Sequence, residues 1–276
     1  SQPSISDLLE IKDDSDPLNV STGNAGLKPS FTNSFRLFYN NAWTTYQRVM
    51  YANLQFNTTS NSIANMVTYN PETGGRYSRP ENINGNWRIS GNVMFNTAID
   101  SMARFNINTS TGVSYVNSVG YVNLNRGAVA SKSNTKNLTI SEQLATSFRN
   151  DWIEFEITGS LNYDHSRNAL QPTANLDTWR YRYGFNTNLT LPWGTQLSTD
   201  MSMNSRRGFS DNSMNTNELI WNAQISQSML KSKALTFTLQ FYDILREQST
   251  FSRTIDAMRR SDTEYNSITS YAMLHI

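Results

Sequence analysis

Apolar and polar residues alternate along about eleven stretches of this chain, and a two-residue period demands an extended backbone. Residues 234–245 show it most plainly. Leu235, Phe237, Leu239 and Phe241 fall on one face, and Thr236, Thr238, Gln240 and Tyr242 on the other. Residues 151–164 set Ile153, Phe155, Ile157, Leu161 and Tyr163 against Glu154, Glu156, Thr158, Ser160 and Asn162. Residues 178–191 set Trp179, Tyr181, Tyr183, Phe185, Leu189 and Leu191 against Arg180, Arg182, Asn186, Asn188 and Thr190. Residues 86–99 set Trp87, Ile89, Val93, Phe95 and Ile99 against Arg88, Ser90, Asn92 and Asn96. Weaker members are 31–39, 46–56, 104–118, 138–148 (where Glu142 breaks the apolar face), 195–204, 217–229 and 264–276. Such stretches, about 9 to 15 residues long, exceed the usual soluble strand and suit a tilted strand crossing a bilayer.

The connections alternate in length. Short links are expected at 40–45, 99–103, 149–151, 191–195 and 230–233, and long polar links at 58–85, 119–136, 166–177, 205–216 and 246–263. Short-long alternation is the pattern of an all-β, antiparallel up-and-down transmembrane barrel, with tight turns on one rim and long loops on the other. Trp43, Trp152, Trp179 and Trp193 lie near expected strand ends, where aromatic girdles meet the membrane interfaces. One helical turn is conceivable at 6–14, with Ser6 as its cap.

Composition narrows the function. Lys plus Arg is 23 and Asp plus Glu 22, a net charge of +1, so no basic field implies nucleic acid. Cys is 0 and His is 2, which removes cysteine-ligated metals, thiol nucleophiles and multi-histidine sites, and no cofactor is expected. Asn, Ser and Thr make up about a third of the chain and aromatics 12%, as a sheet with one wet and one greasy face requires. The chain has no run of 18 apolar residues.

No catalytic constellation emerges, and the chain is read as no enzyme. His165 lies between Asp164 and Ser166, but neighbours on a strand point to opposite faces and cannot form a triad. Glu154 and Glu156 share a face about 6.5–7 Å apart, between the carboxyl separations of retaining and inverting glycosidases. Charges on a lumen wall explain them better. Arg180 and Arg182 must also face a lumen, because lipid exposure costs several kcal/mol. Their expected partners are Glu154 and Glu156 on the adjoining strand. Arg88 and Asp200 complete the set of lumen residues that could contact a ligand; no metal site is expected.

Two terminal passages resemble a known family. Residues 3–39 contain Asp16-Pro17-Leu18 and then Gly23-Asn24-Ala25-Gly26-Leu27-Lys28-Pro29. These are similar to the "DPL…GNP-x-LKP" passage of TonB-dependent outer-membrane transporters, with Ala25 in place of the usual proline. The closest group is the β-barrel family with an N-terminal carboxypeptidase-regulatory-like domain, relatives of starch-utilisation-type importers. The final passage, LTFTLQFYDILREQSTFSRTI…TSYAMLHI, resembles that family's closing hairpin with its "DLLN" and "YFML". The plug domain, the first half of a 22-strand barrel and the usual extension after Ile276 have no counterpart here.

The resemblance implies that residues 1–276 are the C-terminal part of such a barrel in a Gram-negative outer membrane. Residues 1–29 would be an extracellular loop and 30–276 the strands. It implies uptake of a glycan, peptide or metal chelate through a plugged barrel. The implied partners are outer-membrane lipid, the rest of the barrel and its plug, TonB acting through that plug, and a surface lipoprotein. The alternatives are a plug-free porin or structural barrel, and a soluble β-sheet protein that binds glycans.

Overall fold

The computed structural model describes residues 1–70, 72–123, 130–170, 172, 175–230, 234–255 and 260–276. The chain runs through α1 (Ile5–Leu8), β1 (Asn19–Ser21), β2 (Phe31–Trp43), β3 (Arg48–Ser60), β4 (Ser62–Tyr69) and β5 (Arg76–Ile83). It continues through β6 (Asn86–Ala98), β7 (Phe105–Val122), β8 (Ser131–Arg149), β9 (Ile153–Asn168), β10 (Leu176–Thr190) and β11 (Thr195–Arg207). It ends with β12 (Asn217–Met229), β13 (Leu235–Tyr242), β14 (Phe251–Ile255), β15 (Arg260–Glu264) and β16 (Tyr271–His275).

Eleven of these strands form one antiparallel sheet in the order β16-β13-β12-β11-β10-β9-β8-β7-β6-β3-β2. Each strand therefore lies beside its predecessor in the meander. Among the described residues nothing pairs β2 with β16, so the sheet keeps two free edges.

Register carries side-chain parity across the whole sheet, because facing residues of a ladder share a face. Tyr51, Met94, Ser110, Gln143, Ser160, Arg182, Asn204 and Glu218 form one continuous rung. The next rung, Met50, Phe95, Thr109, Leu144, Gly159, Tyr183, Met203 and Leu219, lies on the opposite face. The first face is polar and the second apolar. The sheet curls toward the polar face, where residues of β3, β6, β7, β8, β9 and β10 surround one hollow.

The apolar face has nothing folded over it. Among the described residues only Leu27, Ile83, Ala98 and Met214 are buried hydrophobics, while Phe35, Leu37, Ile157 and Leu274 are more than half exposed. The chain exposes 17965 Å², where a soluble monomer of its mass would expose about 12,000 Å². A sheet with this much apolar surface needs an apolar solvent, and lipid supplies it. Among the described residues no helix is long and apolar enough to cross a membrane.

Two aromatic rows border the apolar face. Phe35, Phe56, Trp87 and Tyr115 pass ring to ring at 6.4, 6.2 and 5.3 Å near the long-connection rim. Tyr163 and Trp179 extend that row at 4.3 Å. Phe105 with Phe148, and Phe155 with Phe185, mark the short-turn rim at 4.6 and 6.1 Å. Trp43 ends β2, and Trp152 and Trp193 sit in turns of that same rim. Trp87, the second residue of β6, belongs to the upper row as a further strand-end tryptophan that the sequence reading does not single out.

Several boundaries differ from the sequence reading. The expected 58–85 link is itself the hairpin β4–β5, extended by parallel pairing with β1. The 119–136 link shrinks because β7 and β8 stay paired as far as Val122 and Ser131. Strand 234–245 ends at Tyr242, since Asp243 and Arg246 take left-handed φ values of 44° and 59°. The helical turn forms, but its cap is Ser4 and not Ser6: Ser4 Oγ accepts the Asp7 N–H at 3.1 Å, and Asp7 bonds back to Ser4. Residues 124–129 and 256–259, most of the expected 230–233 turn, and 171, 173 and 174 lie outside the described residues.

Candidate functional site

The six lumen residues read from the sequence all fall on the concave polar face. Strand parity places Arg88 opposite Asn57 and Val116, Glu154 opposite Arg149 and Asn188, and Glu156 opposite Asn186. Arg180 and Arg182 face Asn162 and Ser160, and Asp200 faces Asn186 and Asn222.

The expected pairing of Arg180 and Arg182 with Glu154 and Glu156 does not occur. Register separates Arg182 from Glu156 by four residues, about 13 Å along a strand. Arg180 instead bonds Asp164 at 2.7 Å, Glu154 pairs with Arg149, and Glu156 accepts the Asn186 amide at 3.1 Å. Asp200 accepts the Asn222 amide at 2.9 Å. Period-two alternation assigns faces, but the loop between two strands sets which residues meet.

Of the six, Arg182 lines the hollow of about 650 Å³, together with Tyr51, Asn96, Asn108, Gln143 and Ser160 and the apolar Val49, Met94 and Ala145. Among the described residues Arg182 has no ion-pair partner. The site therefore offers a guanidinium fork, amides and hydroxyls, and a phenol ring. Such a wall suits a polar ligand with an anionic or hydroxyl-rich portion. Sequence reasoning missed Tyr51, Asn96, Asn108, Gln143 and Ser160, although strand parity marks each one. Nearer the long-connection rim, Arg206 lies 3.8 Å from buried Glu218 on the same face.

His165 belongs to the other face. It meets Asp177 at 2.5 Å and Tyr163 at 3.2 Å, and Arg167 holds the second Asp177 oxygen at 2.6 Å.

The N-terminal passage is fastened onto the β4–β5 hairpin by its own motif residues. Asp16 accepts the Leu18 N–H at 2.9 Å and the Asn19 amide at 2.7 Å, an Asx turn over Pro17. The Asn19 amide, and then the Leu18 N–H, hold the Asp16 carboxyl below its usual range. Those bonds are complete above about pH 4 and weaken as acid protonates the group. Buried Asn24 donates to the Pro80 carbonyl at 2.9 Å and accepts from Arg79 at 2.9 Å. Asn82 grips the Lys28 backbone from both sides, accepting its N–H at 2.7 Å and donating to its carbonyl at 3.0 Å.

A Cβ on Gly23 would lie 2.3 Å from the Leu9 carbonyl oxygen. Gly23→Val should therefore push residues 7–9 off residues 23–24, freeing the first residues of the chain, and leave the large sheet intact. Limited proteolysis should then cut this segment at least about tenfold faster, as expected when packing is lost at a local, low-stability unit.

At the other end, buried Asp243 accepts the N–H groups of Glu247 and Gln248 at 3.1 and 3.0 Å. The "DIL" passage thus caps the loop that leaves β13.

A model described as "Outer membrane protein beta-barrel family" matches residues 1–152. Searches of the curated proteins and of the solved structures find no significant match.

Proposed function

We propose, for a chain that belongs to the outer membrane protein beta-barrel family, that its sheet forms part of the wall of a TonB-dependent outer-membrane transporter. The chain is an outer-membrane protein, and a soluble glycan-binding role is set aside. The observation that carries the transport reading is the concave face, where Arg182, with no ion-pair partner among the described residues, stands beside amides and hydroxyls in an open hollow. In this reading the long connections face outward and the short turns face the periplasm. Further strands complete the barrel at the free edges of β2 and β16, since an unsatisfied backbone edge in lipid costs several kcal/mol per group.

The ligand, a glycan, peptide or metal chelate, is held by Arg182 and its polar neighbours, with Arg88, Glu154, Glu156, Arg180 and Asp200 lining the same wall. A plug domain closes the lumen until TonB engages it, and a surface lipoprotein covers the outer mouth. The motifs at Asp16–Leu18 and 23–29 support this over a plug-free barrel.

Planar-bilayer recording of the native, full-length protein separates the two. The transporter should show no steady conductance at moderate voltage, because a plug fills it. A stable open channel would overturn the transport reading and establish a plug-free barrel.

A further inference from the structure

Besides Glu142 in β8 and Arg48 at the short-turn rim, the apolar face carries a group of charges whose place is informative. Lys132 and Lys136 on β8, Arg167 and His165 on β9, Asp177 on β10 and Arg207 on β11 all share the outward parity. Lys136 faces Arg167, His165 faces Asp177, and Arg207 faces Trp179. Lys136, His165, Arg167 and Asp177 stand just beyond the upper aromatic row, with Arg207 level with it and Lys132 four residues farther out than Lys136. Lys136 lies two residues past Leu138, the partner of Tyr115, and Arg167 four residues past Tyr163. A side chain at this level leaves the hydrocarbon and enters the headgroup layer.

Like charges facing each other across a ladder destabilise it. Asp177 neutralises Arg167 at 2.6 Å, but no ion pair reaches Lys132, Lys136 or Arg207 among the described residues. Lys132 donates only to the Asn84 carbonyl at 2.9 Å. Arg207 bonds the Thr216 carbonyl at 3.0 Å and the Asn217 side chain at 2.7 Å. Among the described residues four basic side chains thus share one carboxylate, across three strand spacings, roughly 15 Å, and along eight residues of strand, roughly 26 Å, from Arg207 to Lys132.

We infer that this patch binds the phosphates of an outer-leaflet glycolipid, a lipid A headgroup. Lys136 offers a point charge suited to phosphate oxygens, and Arg167, held by Asp177 and by the Ser166 and Leu176 carbonyls, adds its positive charge beside it. Their aliphatic stems lie along the aromatic row while their charged ends reach the headgroups. The inference rests on the orientation adopted above, in which the long connections face outward.

Titration of the native, full-length protein in detergent micelles tests it, with bound lipid counted by native mass spectrometry. The probes are bis-phosphorylated lipid A, the same lipid without its phosphates, and inorganic phosphate. The phosphorylated lipid should bind about tenfold or more tightly than the dephosphorylated one, as two or more basic groups at an anionic surface would give. Lys136→Gln combined with Arg167→Gln should erase that preference, while Lys136→Arg should keep it. Equal binding of the two lipids by the unaltered protein would overturn the inference without any variant. A preference that survives the double substitution would overturn it too. Displacement of the lipid by millimolar inorganic phosphate would assign the patch to a soluble anion and also overturn it. The orientation fails separately: proteolysis of intact cells would then leave the β4–β5 hairpin uncut while cutting the short turns.

Discussion

Leu144→Arg should destabilise the protein in a bilayer by about 2–4 kcal/mol, the cost of a cation on the lipid face near the midplane. Gln143→Arg, one residue away, should change stability by less than about 0.5 kcal/mol. Both positions lie near the middle of β8, so depth and strand context are shared. Only the face differs. Leu144 stands on the apolar rung beside Gly159 and Thr109, 48% exposed, whereas Gln143 stands on the polar rung beside Ser110 and Ser160. An added arginine at 143 stands two strands from Arg182, about 10 Å away in water, where ordinary salt screens the repulsion. Urea titration of the protein folded into lipid vesicles measures both. Equal costs at the two positions would mean that the faces are wrongly assigned.

Gly184→Ala should cost about 1–3 kcal/mol, toward the upper end of the range for overpacking. Its Cβ would lie 2.2 Å from the Met201 carbonyl oxygen and 2.8 Å from the Ser202 Cα. Those atoms belong to the β11 backbone, which cannot move aside as a side chain can. Gly184 faces both Ser202 and Thr158, so the displaced strand weakens ladders on either side. Gly159→Ala is the control, because nothing lies within 4 Å of its added Cβ. The fraction of protein that resists SDS before heating should fall for the first variant and stay unchanged for the second. A Gly184→Ala protein as stable as the original would show that β10 and β11 are not packed this closely.

Most of the large sheet could be read from alternation alone. Strand 217–229 has the bounds expected for it, and the face assignments of β6, β9, β10 and β13 hold through the register. Alternation failed where the second face is not lipid. In β4 and β5 both faces meet protein or water, so their polar sequence, SIANMVTY against RYSRPENI, has no greasy side to announce a strand. It failed again for partners. Whether Arg180 meets Asp164 or Glu154 depends on a register that no single strand contains. The residues around Arg182 were hidden for the same reason, since Ser160 meets it only through the β9–β10 register and Tyr51 only through five ladders. The motif residues were legible as a pattern, but their work was not: Asn24 acts on Pro80, and Lys28 on Asn82, more than fifty residues away.

The strands are not equally long, and the difference is ordered. β7 and β8 are 18 and 19 residues, β13 is 8, and the terminal β16 is 5. Amide exchange should therefore be slowest in the β7–β8 ladder and faster in β13. A wall zipped most firmly along its longest ladder keeps its curvature while the shorter strands beside it breathe.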